Sequence, residues 1–83
     1  MEQVDLREAQ QWLRALQAAR VRWQEDPAKA PALRQKLVEA EEQVKAWEAS
    51  GHYLGGAVGL IQDEIAGARE MLVIAEQQRT RGY

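Results

Sequence analysis

The feature that most limits how this chain can fold is an unbroken alternation of four- and three-residue steps. It runs through Leu33, Leu37, Ala40, Val44, Trp47, Gly51, Leu54, Val58, Ile61, Ile65, Ala68, Leu72 and Ala75. A 4-3 spacing puts every one of these residues on the same side of an α-helix, and the same spacing defines the seam of a coiled coil. The charges of both signs between Leu33 and Trp47, from Arg34 to Lys45, mark the opposite side as solvated. Glu41 and Lys45 are four residues apart in the order that supports a helix.

Glycine interrupts the seam. Ser50-Gly-His-Tyr-Leu-Gly-Gly follows directly after a helix of ordinary length, and each glycine inside a helix costs about 1 kcal/mol relative to alanine. The three glycines among residues 51–56 therefore predict a corner, with the flanking helices folded into an antiparallel hairpin. The continuous phase of the seam admits a second reading, one bent helix over residues 31–79.

An earlier helix is signalled by Asp5-Leu-Arg-Glu, in which Asp5 supplies a capping acceptor and Glu8 the carboxylate three residues later. Leu6, Ala9, Trp12, Leu13, Leu16, Ala19 and Trp23 then fall within an arc of roughly 140°. Arg20 enters that arc near the helix end, where it snorkels or meets a carboxylate of a neighbouring helix. Asp26-Pro27 ends this helix, and Pro31 suits the first turn of the next.

The expected fold class is all-α: a small three-helix bundle, or a helical hairpin with a packed first helix, coiled-coil-like and oligomeric. The whole of 1–83 reads as one domain, with helices at about 5–25, 31–50 and 57–78 and a frayed tail at 80–83. Fourteen alanines and ten glutamines, with neither phenylalanine nor asparagine, agree with helix throughout. A core this small is marginal, and the chain has no cysteine and a single histidine with which to staple it. Association with another chain is the remaining aid.

Composition also excludes function classes. The net charge of −2 is spread evenly, −1 over residues 1–26, 0 over 27–50 and −1 over 51–83, so no segment forms the basic patch that nucleic-acid binding needs. The weakly polar run from Tyr53 to Ile61 is far shorter than the roughly 20 residues that span a bilayer. Met-Glu-Gln-Val-Asp lacks the apolar run of a signal peptide, and a cytoplasmic location is expected.

No constellation for catalysis emerges. Ser50, Thr80 and His52 are the material for a nucleophile and base, and Ser50 and His52 sit where a helix C-terminus uses serine and histidine for capping. A metal site would need more His or Cys than His52 alone. Asp63-Glu64 and Glu41-Glu42 read as exposed helix charges. Gly51, Gly55, Gly59 and Gly67 are spaced for close helix approach, although turn chemistry accounts for the first two, and no strand or lysine makes them a phosphate loop. No enzyme activity and no cofactor are expected.

The expected function is that of a protein–protein interaction module, a homo-oligomerising adaptor, assembly component or inhibitor that meets itself, another protein, or both. Leu60, Met71 and Ile74 lie on a flank beside the seam of the third helix, and Val73 points elsewhere again, more apolar surface than a three-helix monomer covers. Trp23 and Trp47, at helix ends, are the tryptophans expected at an interface. Val21, Val38 and Val73 lie off their helices' core stripes and are expected to form a partner patch with Trp23 or Tyr53 if they converge. The alternative is a membrane-surface protein that uses the glycine-rich segment 51–61.

Overall fold

The computed structural model describes residues 2–81. In chain order these form β1 (Glu2–Gln3), α1 (Leu6–Glu25), a single 3-10 turn (Pro27–Lys29), α2 (Ala30–Ala49), β2 (His52–Tyr53) and α3 (Ala57–Arg81). The three helices pack against one another in an elongated bundle of 52 × 18 × 17 Å. The protein is a small all-α three-helix bundle.

Each boundary has a local cause. The Asp5 carboxylate accepts hydrogen bonds from the backbone N–H groups of Arg7 (2.8 Å) and Glu8 (3.4 Å), satisfying two donors that the first turn of α1 leaves open. At the far end Asp26 serves both neighbours. Its N–H closes α1 on the Arg22 carbonyl at 2.9 Å, while its carboxylate accepts from Ala28 N–H at 3.1 Å and starts the 3-10 turn. Pro31 occupies the first turn of α2, where its missing N–H leaves no bond unmade.

Residues 50–56 form the corner between α2 and α3, so a continuous helix over 31–79 is not what the chain adopts. Gly51, at φ 79°, reverses the chain at the end of α2, and its N–H donates to the Glu48 carbonyl at 3.0 Å. Gly56, at φ 60°, makes the second left-handed step just before α3. Both conformations crowd the Cβ of an L-residue, which is why glycine stands there.

The corner also holds a feature without a sequence signature. Glu2 and Gln3 pair in parallel with His52 and Tyr53, tying the chain before α1 to the chain before α3. Because both strands lead into helices, α1 and α3 run the same way and α2 runs against them. Towards the C-terminus α3 continues through Arg81, so residues 80 and 81 are helical rather than a frayed tail. The rest of that expected tail, residues 82 and 83, lies outside the described residues.

The seam is the core. Leu33, Leu37, Ala40, Val44 and Trp47 of α2 interlock with Val58, Ile61, Ile65, Ala68 and Leu72 of α3, all at most 7% exposed. From α1 only Ala9 and Leu16 are equally buried, while Trp12, Leu13, Ala19 and Trp23 pack against the core part-exposed. The α2–α3 seam thus supplies most of the fully buried residues, while α1, which packs against both other helices, supplies fewer.

Candidate interaction surface

Ion pairs fix which side of each helix meets which neighbour. Along the α2–α3 joint, Arg34 pairs with Glu76 and Glu41 with Arg69. A step of seven residues along α2 moves the partner seven residues back along α3, as antiparallel packing requires. Across the α1–α3 joint, Arg20 Nε donates to the Glu64 carboxylate at 2.6 Å. With side chains 28% and 18% exposed, this is the most buried of these pairs, and it gives Arg20 the inter-helix carboxylate that its place on the apolar stripe called for.

The Arg20–Glu64 pair orients the surface beside it. Leu6, Leu13 and Arg20 are seven residues apart, so one stripe of α1 borders α3; by the same spacing Ala57, Glu64 and Met71 form the stripe of α3 that borders α1. One row further out on α3 run Leu60, Gly67 and Ile74. Leu60 is 56% exposed, Ile74 45% and Leu6 60%, while Met71 and Leu13 are half-buried. The flank Leu60–Met71–Ile74 thus lies on one side of α3, with Leu60 and Ile74 exposed and the Arg20–Glu64 pair and Gly67 between them; on the adjoining side of α1 Leu13 packs against the core and Leu6, which the sequence had assigned to the core, is exposed.

Val73 lies on the other side of α3. It lines a shallow cleft of about 280 Å³ with Val38, between Arg34, Glu76 and Arg69. Val38 and Val73 thus converge as expected of the valine patch, but Val21 does not line that cleft, and neither does Trp23 or Tyr53. Two valines ringed by an ion pair and a further arginine make a polar groove with an apolar floor, not a broad apolar patch.

Trp47 is corrected by the structure. It is 6% exposed and belongs to the core, so it is not available to an interface. Its seam position, in phase with Leu33 and Leu72, determines its burial; the enrichment of tryptophan at interfaces is a weaker signal than phase. Trp23, by contrast, is half-buried and packs against the core near the end of α1. Trp12 carries a cation on its face, with Lys36 Nζ 5.7 Å from the ring centroid.

The His52 ring nitrogen Nδ1 lies 3.3 Å from the Trp47 carbonyl, and Ser50 caps α2 through its backbone N–H to the Ala46 carbonyl at 3.1 Å. Tyr53 lies across Gly55, where a Cβ would overlap its ring. Lys36 and Gln35 donate to the Glu39 carboxylate, which together with the Lys36 charge holds its pKa below the usual carboxylate value. Among the described residues no group of three or more His, Cys, Asp or Glu side chains is placed to hold a metal ion, and no helix is long and apolar enough to cross a membrane. Comparison with protein-family models, with curated protein sequences and with solved structures finds no match.

Proposed function

We propose that this chain is a protein–protein interaction module that associates with itself, and that it acts through the strip along α1 and α3. The observation that carries this reading is the exposure of Leu60 and Ile74 on one side of α3 and of Leu6 on the adjoining side of α1, each close to half exposed or more, with Met71 half-buried beside Ile74. Single exposed apolar residues are ordinary on any protein surface, whereas several gathered on one face of two adjoining helices point to an interface.

The incomplete core argues the same way. With only Ala9 and Leu16 of α1 fully buried, covering this face from outside would bury Leu6 and more of Leu13 together with the α3 flank; Trp12 and Ala19 lie towards α2 and would keep their exposure. An adaptor, an assembly component and an inhibitor of another protein all fit such a module. The polar groove at Val38 and Val73 is then left free for a second, different partner.

The test is Ile74→Glu, compared with the unmodified chain by light scattering after size exclusion and by circular dichroism. The unmodified chain is expected to elute as an oligomer at high micromolar concentration and the variant as a folded monomer. An oligomer unaffected by a charge at position 74 would remove the strip from the reading.

A further inference from the structure

The strip has rims of opposite charge, and this selects one way for two copies to meet. On the α1 side, Arg7 and Arg14 form a stripe at seven-residue spacing just beyond Gln10 and Gln17; on the α3 side, Asp63 and Glu70 form the matching stripe just beyond Leu60 and Gly67. All four side chains belong to exposed residues, and none has an ion-pair partner among the described residues. One rim is basic and the other acidic.

Two copies that bury the same face can be related by a two-fold axis lying across the helices or along them. An axis across the helices sets α3 against α3 of the partner, antiparallel and centred near Gly67. That places Asp63 beside Glu70 of the partner subunit, so the acidic rim meets its like. An axis along the helices sets α1 over α3 of the partner, and Arg14 of the basic rim then meets the acidic one.

Resting on the self-association proposed above, we infer that a second copy of this chain docks on the α1–α3 face with the two-fold axis parallel to the bundle, pairing Arg14 with Asp63 of the partner subunit. The level of the two residues agrees. Residues of α1 lie beside residues between 44 and 50 further along the chain, the first value from Arg20–Glu64 and the second from the pairing of Glu2 with His52. A two-fold axis along the bundle preserves level, so Arg14 comes opposite residues 58 to 64 of the other copy, a window that contains Asp63.

Gly67 supports the same docking independently. It lies in the middle of α3 in helical conformation, exposed, and a Cβ there would meet nothing within 4 Å. Apart from proline, glycine is the residue least suited to a helix interior, and nothing inside the protomer requires it. Opposite Gln17 of the partner subunit, its bare backbone allows α1 and α3 of two copies to approach closely. A face two helices wide, at about 10 Å each, and about 28 Å long covers roughly 1,100 Å² summed over both copies, close to the lower bound of specific interfaces.

The experiment is a charge swap read by sedimentation equilibrium. Arg14→Asp and Asp63→Arg, each alone, are expected to weaken the dimer about tenfold by placing like charges together at two symmetric sites. The combination of both in one chain restores the pairing and returns affinity to within about threefold of the unmodified chain. Gly67→Ala is expected to raise the thermal midpoint of the dilute monomer while loosening the dimer, a split that a purely intramolecular role for Gly67 would not produce. A dimer that ignores both single reversals, or a double variant no better than either single, overturns this pairing while leaving self-association standing. A chain that never dimerises overturns both.

Discussion

Replacing Gly51 by alanine distinguishes a corner from a bent helix by the sign of the effect. In the structure Gly51 has φ 79°, and a Cβ there would touch nothing within 4 Å. The cost of alanine is therefore conformational rather than steric. The left-handed region costs an L-residue about 1–2 kcal/mol. Alanine also restricts the unfolded chain, which offsets about 0.4–1 kcal/mol of that cost. The balance is a destabilisation of about 1 kcal/mol, or a fall in thermal midpoint of roughly 4–8 °C for a domain of this size. Were residues 31–79 a single helix, the same substitution would stabilise it by about 1 kcal/mol, since alanine is the better helix former. Thermal unfolding followed by circular dichroism, at a concentration low enough to avoid association, measures the difference. A rise in midpoint for Gly51→Ala would refute the corner; the matching rise expected for Gly67→Ala, which is helical, serves as the internal control.

Two further outcomes follow from the core and from the one perturbed carboxylate. Leu37 is 1% exposed in the α2–α3 seam, and Leu37→Ala is expected to cost about 2–5 kcal/mol in urea unfolding, against less than about 0.5 kcal/mol for exposed Glu42→Ala on the same helix. Similar losses for both would mean that the seam is not the core. Glu39, held below the ordinary carboxylate pKa by Lys36 and Gln35, should show an NMR titration midpoint that rises towards the usual value in Lys36→Met. Because the folded-state pKa is the lower one, the associated stabilisation is complete above the ordinary carboxylate range and disappears as pH falls through the lowered value. An unchanged midpoint in Lys36→Met would remove Lys36 as the cause.

How much of this was legible beforehand depends on which interaction determines each feature. The cap at Asp5, the stop at Asp26-Pro27 and the left-handed step at Gly51 are local, made by residues within a few positions of one another, and the sequence displays them directly. The seam was equally plain, because phase at 4-3 spacing decides burial almost residue by residue. It even overrode the expectation for Trp47: a tryptophan in phase with Leu33 is a core residue whatever its frequency at interfaces.

What was not legible depends on how one helix is rotated and shifted against another. The pairing of Glu2–Gln3 with His52–Tyr53 uses backbone groups alone and leaves no side-chain period to read. Val21, Val38 and Val73 were each visibly off the core stripe, but only the packing angles decide which of them share a groove. The same holds for Leu6 and Leu13. On a helical wheel both belong to the apolar arc of α1, yet only Leu13 packs against the core, while Leu6, at the edge of the arc that the Arg20–Glu64 contact turns to the α3 boundary, is exposed. The charged rims at Arg14 and Asp63 acquire meaning only once α1 and α3 are known to lie side by side.

Self-association is the claim on which the rest depends, and sedimentation equilibrium of the unmodified chain tests it most directly. Over a range from about 1 µM to several hundred µM, spanning the dissociation constants expected of an interface near the lower size bound, the weight-average mass should rise from the 9.4 kDa of one chain towards twice that value. It should level off there, because a two-fold pairing closes on itself and leaves no second copy of the strip exposed. A mass that stays at 9.4 kDa across the whole range would contradict the account.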